Sequence, residues 1–467
     1  EGRSGELLWP LPIAPALSSS FGESRSTSFH MGIDLKTWGR TGYEVRALSD
    51  GYIERVRTSP WGYGRAVYQR LSDGRIAVYA HLERFGEQTA QRVDTAQLIK
   101  MRYSVDLWFK EGEIAVKKGE IIAYSGQSGA GPPHLHLELR DADNIPLNPL
   151  LGDFAVEDVT APIIQRLGLV PFGRESRVGG GNEPLAVTLR WNAKKQAFAT
   201  SRRVQIHGRI GISAQVWDRA EAAPNKLAPH RLILRVDGQE VFAAAYDRVS
   251  YANGRQVNLD RMYIDFSGGR GRFHNLFRLP GNRLKFYSTP MDGFLRSASG
   301  QGAAFLAEGP HDIEVVAIDA FGNSSTAQLA LVVNAPPRIV SGGIVGSDGA
   351  RSLEWAVQDG DDALLKAELS RADKVGRWHP VLAERELVAG SGLQRWPLNE
   401  QASLWKLIVR DGKGGADSVI CALPGTAVAA LARMQVERRA HAGWVELLLH
   451  FTQPLAALPQ VRVGPRN

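Results

Sequence analysis

Short apolar runs separated by Gly-containing turns fill the first third of the chain: YEVRALSDGYIERV from Tyr43, YGRAVYQRLSDGRIAVYAHL from Tyr63 and EIAVKKGEIIAYSG from Glu113. β-Branched and aromatic residues are enriched in these runs, and SDG turns punctuate them, which predicts hairpins and a mainly β fold. VRALSDGYI and AVKKGEIIAYSG each look like one half of a lipoyl-type barrel, and two halves predict a compact sandwiched barrel. Residues 84–113 break the pattern and predict an inserted helix and loop. Asp94 can cap that helix, Gln97 stands three residues on as in a capping box, and Val93 with Leu98 can form a hydrophobic staple. Leu98, Ile99, Met101 and Trp108 offer it apolar surface, so the insertion is expected to pack on the barrel and form one wall of a cleft.

Beyond this first unit, 1–157, the stretch VEDVTAPIIQRL from Val156 reads as a linker. Short strands and turns then continue to about residue 336, ending in GPHDIEVVAIDAFGNSSTAQLALVV, which is like the closing hairpin of an immunoglobulin-like β-sandwich. The pattern recurs as WKLIVRDGKGGADSVICAL from Trp405, so the expected organisation is a sandwich over 158–336, a second over 337–422, and a partial β domain or tail over 423–467. A chain of 467 residues is too long for one ordinary core. Hydrophobic content of 43% and charged content of 22% are those of a soluble globular protein. The apolar runs are all too short to predict a membrane-spanning helix. The chain opens at Glu1 and reads as a mature or cropped segment. The single cysteine, Cys421, excludes an internal disulfide and a Cys-type zinc site.

The candidate chemistry lies in two pieces about a hundred residues apart. FHMGIDL places His30 four residues before Asp34, and GPPHLHLELR carries His134 and His136. Gly32 argues against a helix at the first piece, which reads as a loop entering a strand. HLHLEL alternates cleanly, so His134, His136 and Glu138 share one strand face while Leu135, Leu137 and Leu139 take the other. Pro132 and Pro133 stiffen the approach. Two imidazoles and a carboxylate can hold a divalent ion with a coordination position left open, as catalytic zinc sites do. Glu138 is a candidate partner behind a ligand. His81, in VYAHLE, lies between the two pieces.

FHMGIDL, YAHL and GPPHLHLELR together resemble the signature segments of the LytM/lysostaphin-type zinc metallopeptidases, cell-wall endopeptidases built on a duplicated hybrid-motif β fold. SSSFGESR resembles that family's lead-in, and VKKGEIIAYSGQSG its Gly-rich turn. The resemblance covers roughly the first third of the chain. It implies His30, Asp34 and His136 as ligands of one Zn2+ per chain, and His81 with His134 as the non-ligand catalytic pair. It further implies peptidoglycan peptides as substrate and an extracytoplasmic setting, in the periplasm, cell envelope or outside the cell. The insertion after YAHL and Arg65 in YGRAVY depart from the family pattern, but all five site positions are kept.

With no Glu placed as in H-E-x-x-H, proton transfer is expected from histidine or from the activated water itself. The net charge of +7 suits polyanions, including acidic envelope polymers, or is an ordinary solvated surface. No basic block or nucleic-acid motif points to DNA or RNA. Two other functions compete: a wall-binding or amidase-regulating module that keeps the fold and metal, and a structural envelope protein. The later sandwiches carry no such constellation. They are expected to anchor the enzyme or meet an envelope partner, leaving residues up to about 157 able to fold and cleave alone. His207, His230, His274, His311, His379, His441 and His450 read as ordinary surface or core residues, and Trp38 and Trp61 as loop packing.

Overall fold

The computed structural model describes residues 7–451 except 130, 155, 221–222, 263–271, 290, 298–301, 347–349, 360–363, 374–376, 389–391, 399–401, 403, 413–414, 424–433 and 442–443. The chain is mainly β. In the first unit, β1 (Leu17–Ser19), β2 (Ile33–Lys36), β3 (Glu44–Arg46), β4 (Gly51–Thr58), β5 (Arg65–Leu71) and β6 (Ile76–Ala80) follow in quick succession. They precede β7 (Arg84–Phe85), α1 (Glu87–Lys100), β8 (Asp106–Trp108), β9 (Ala115–Val116), β10 (Ile121–Tyr124), β11 (His134–Arg140) and β12 (Pro146–Leu147). One antiparallel sheet runs β1-β2-β11-β6-β5-β4-β8, and a smaller one β3-β10-β7 closes over it.

The inward faces follow from the alternation. On β11, Leu135, Leu137 and Leu139 are buried with Ile33, Leu35, Val67 and Tyr79 in one core. The opposite face of β11 carries His134, His136, Glu138 and Arg140.

α1 begins at Glu87 with Gly86 at its N-cap position, well before Asp94, which sits inside the helix and does not cap it. Thr89 and Val93 face the barrel, with Ala90 and Ala96 packed beside them. The apolar stripe therefore starts at small residues whose hydrophobic signal is weak. Leu98, Ile99, Met101 and Trp108 are exposed and do not cover the barrel. Trp108 is held by Arg55, whose guanidinium lies 4.6 Å over the indole.

After β12 the chain enters an eleven-stranded sheet dominated by two long strands, Ile163–Val178 and Ala197–Trp217. Further sheets cover 338–422, and the hairpin Met434–His441 with Trp444–Phe451 follows. The tail expectation beyond residue 451 lies outside the described residues. The passage near residue 157 is not a break in the core. Phe21, Phe29 and Met31 of the first unit are buried among Tyr246, Phe286 and Leu284 of the second. Phe29 meets Phe286 edge to face at 5.8 Å. In return, Ala220 and Leu227 enter the core of the first unit. Polar contacts reinforce the joint: Arg261 donates to the Gly22 carbonyl (3.0 Å), and the Ala228 amide to Ser20 Oγ (2.8 Å).

Candidate metal centre

Strand order assembles the site. β11 lies between β2 and β6, with Asp34 opposite His136 on one side and Ala80 opposite His136 on the other. His30 enters just before β2, and His81 leaves just after β6. Gly32 lets the first segment approach. A Cβ there would stand 2.3 Å from the Leu137 carbonyl oxygen and 2.8 Å from Glu138 Cγ, so no other residue fits without moving β11. His81 adopts a left-handed backbone (φ 61), uncommon outside glycine, which turns its ring back toward β11.

Three atoms converge. His30 Nε2 is 3.1 Å from Asp34 Oδ1 and 3.1 Å from His136 Nδ1, and His136 Nδ1 is 2.9 Å from Asp34 Oδ1. Zinc bonds of about 2.0–2.1 Å at tetrahedral angles separate ligand atoms by about 3.3 Å, so this triangle needs to open by only a few tenths of an ångström. The tautomers agree with such a ligand set. His30 Nδ1–H donates to the Ser20 carbonyl at 2.9 Å, and His136 Nε2–H to Glu138 Oε1 at 3.0 Å. A carbonyl or carboxylate can only accept, so the other ring nitrogen of each neutral imidazole presents its lone pair to the centre.

Electrostatics point the same way. Burial opposes a charged His136, yet the Asp34 and Glu138 carboxylates flanking it push its imidazolium up to about 9. Burial likewise opposes an ionised Asp34, and His30 and His136 overcome it to hold the carboxyl well below its ordinary range. The convergence point is strongly cation-attracting, and a divalent ion would compete with protons for it. His30, Asp34 and His136 thus fit a metal ion in donor type, geometry and potential.

His81 and His134 stand beside this triangle, their rings 4.6 Å apart. His81 Nδ1–H donates to the Ser128 carbonyl (2.8 Å) and His134 Nδ1–H to that of Pro132 (2.7 Å), leaving each Nε2 as acceptor. His134 Nε2 is 3.6 Å from Asp34 Oδ1. Burial, with smaller contributions from His134 and His136, lowers His81 to about 4, so it is neutral at physiological pH. All five residues line one cleft of about 960 Å³.

Glu138 is the partner behind a ligand that the strand alternation suggests, but most of its own partners have no signal in the sequence pattern. Glu138, fully buried, accepts from His136, from Arg140 Nε (2.8 Å), from Tyr251 Oη (2.5 Å) and from Tyr63 Oη. Burial opposes its charge, but His136 and Arg140 hold it down at about 2. Arg140 could have been read from the alternation, two residues beyond Glu138. Tyr251 comes from the second unit, in a 3-10 turn over 251–256, and nothing near it in sequence advertises the role. Pro224 and Asn225, also of the second unit, line the cleft, whereas no residue of 84–113 does. The expected wall is therefore supplied by the later domain, while α1 packs Val93, Ala90 and Ala96 on the barrel core. Trp38 lines the cleft as well, while Trp61 does not. Of the scattered histidines, His230, His311 and His379 pair with single aspartates.

No protein-family model matches the chain. It is 33% identical over 122 residues to a DD-carboxypeptidase/endopeptidase Mpg of Neisseria meningitidis serogroup B, covering 26% of this chain and 22% of that protein. The namesake from Neisseria gonorrhoeae is 31% identical over the same length. The chain thus matches about a fifth of the length of these curated relatives. Among solved structures, a mutant catalytic domain of the prophage-encoded M23 protein EnpA from Enterococcus faecalis is 25% identical, with 32% of this chain and 95% of that one covered and a TM-score of 0.23. A zinc-containing peptidase from Vibrio cholerae is 23% identical, with 30% and 37% covered and a TM-score of 0.23.

Proposed function

From its first unit, which is of the LytM/lysostaphin peptidase type, we propose that this chain is a zinc endopeptidase hydrolysing peptide cross-links of bacterial peptidoglycan. The observation that carries the reading is the convergence of His30 Nε2, Asp34 Oδ1 and His136 Nδ1, with two further imidazoles beside them in an open cleft. These three atoms would hold one zinc ion and leave a coordination position open. Zinc bound there supplies a Lewis acid that polarises a scissile carbonyl and lowers the pKa of water.

The remaining work falls to the chain itself. Ser128 and Pro132 orient His81 and His134 so that each Nε2 faces the cleft. A neutral His81 can accept a proton there and pass it to a leaving amine, and His134, its ring 4.6 Å from that of His81, presents a second Nε2 to the same proton traffic. Glu138 holds the His136 ring in the ligating tautomer. The Neisseria relatives' name, DD-carboxypeptidase/endopeptidase, supports peptide hydrolysis, and the setting in this reading is extracytoplasmic. No helix among the described residues is long and apolar enough to cross a membrane.

Metal analysis and wall digestion test the assignment together. His30→Ala and Asp34→Ala are expected to lose zinc. His81→Ala and His134→Ala should keep it while activity on purified sacculi falls about 100-fold or more. Stoichiometric zinc in the first pair, loss of zinc in the second, or a wild type that releases no peptide from sacculi would each overturn the assignment.

A further inference from the structure

Among the described residues, two cations line the cleft, Arg25 and Lys36, in very different situations. Arg25 is already occupied: its Nη2 donates to Ser19 Oγ (2.6 Å) and Asp34 Oδ2 (3.2 Å), with Glu23 at 3.9 Å. Lys36 is not. Among the described residues its ammonium meets a neutral amide oxygen, Asn225 Oδ1 at 2.8 Å, and the Trp38 ring at 4.8 Å, with no carboxylate in ion-pair range.

Its position is defined by register. Lys36 lies directly opposite His134, as Asp34 lies opposite His136, so Lys36 shares the strand face of Asp34 and the two histidines. An ammonium has three donors, and Asn225 takes one. Trp38 and Asn225 steady the long stem, which reduces the side-chain ordering that binding would otherwise cost. A half-buried, positioned cation with spare donors beside a peptide-cleaving centre is built to receive an anion.

We propose that Lys36, held by Asn225 of the second unit, receives a carboxylate that the substrate peptide carries next to the scissile bond. The proposal rests on the peptidase reading above. The carboxylate has two sources, a free chain terminus or an acidic side chain. It makes the second unit part of substrate selection: Asn225 aims the ammonium, and Pro224 lines the cleft beside it.

Three peptides with the same scissile bond test it: one with a free terminal carboxylate beside that bond, one with a side-chain carboxylate and an amidated terminus, and one with carboxamides at both places. Charge-assisted contacts favour the carboxylate form by about 10- to 100-fold in kcat/KM, expressed mainly in KM. Which of the first two peptides is preferred identifies the source. In Lys36→Met the preference should collapse to about threefold or less. Asn225→Asp should collapse it too, by giving the ammonium an internal carboxylate while leaving Lys36 in place. Calorimetry on chelator-treated wild type should show the same order of peptide affinities. Equal kcat/KM for all three peptides, equal calorimetric affinities, or a preference that survives in either variant would sink the carboxylate assignment alone. A wild type that cleaves none of them and releases nothing from sacculi would remove the peptidase reading, and this proposal with it.

Discussion

Glu138→Gln is the most informative single change, because it alters one charge and almost no volume. The carboxylate is fully buried and accepts from His136, Arg140, Tyr251 and Tyr63. Both its oxygens are engaged with Arg140 or His136, and Arg140 is itself buried, with Nη2 2.6 Å away. Glutamine keeps one acceptor but turns two donors into a ring of donors, leaving the guanidinium without its counter-charge. Breaking a buried pair from one side costs about 3–5 kcal/mol. Independently, His136 loses the carboxylate that fixes its tautomer, which lowers metal affinity about 10- to 100-fold. Urea unfolding of the chelator-treated protein reads the first effect, and competition with a chromogenic chelator the second. A variant within about 0.5 kcal/mol of wild type, with zinc affinity within threefold, would refute the reasoning. Tyr251→Phe removes one of the four donors and should move both readouts the same way by smaller amounts.

Truncation after residue 157 should not yield a folded peptidase, contrary to what the sequence suggests. Exposing Phe21, Phe29 and Met31 forfeits about 1.5–3 kcal/mol each, comparable in sum to a domain's whole stability; a monomeric truncation that unfolds cooperatively in urea would disprove this. His274, buried beside Arg261, has its pKa lowered well below 6.5 by burial first and by that cation second. The unfolded chain therefore binds this proton more readily, and stability falls by up to about 1.4 kcal/mol per unit as pH drops below about 6.5. His274→Phe should flatten the urea-midpoint profile between pH 6.5 and 5, and an unchanged slope would count against this account.

Local patterns carried much of the site. The i,i+2 spacing of His134, His136 and Glu138 is enough to place them on one strand face, since pleating leaves no alternative once the leucines between them are buried. Gly32 argues against a helix at the first segment, but the close approach of β11 that requires it is visible only in the fold. The insertion was legible as a helix, but its start was hidden because Thr89 and Ala90 bury little apolar area. Its exposed Leu98 and Ile99 look like packing residues until a partner surface is found to be missing.

What the sequence alone determined is the chemistry: a set of donor types, their alternation, and the motif spacing that resembles one family of metallopeptidases. What the tertiary structure decided is who stands around that chemistry. Tyr251 reaches Glu138 from 113 residues away, and Asn225 reaches Lys36 from 189. Such contacts depend on how two β units share one core, through Phe29 against Tyr246 and Phe286. Periodicity reports only which face of an element is apolar. The choice of partner for that face is made by the summed packing of both units, and no local stretch of residues encodes it.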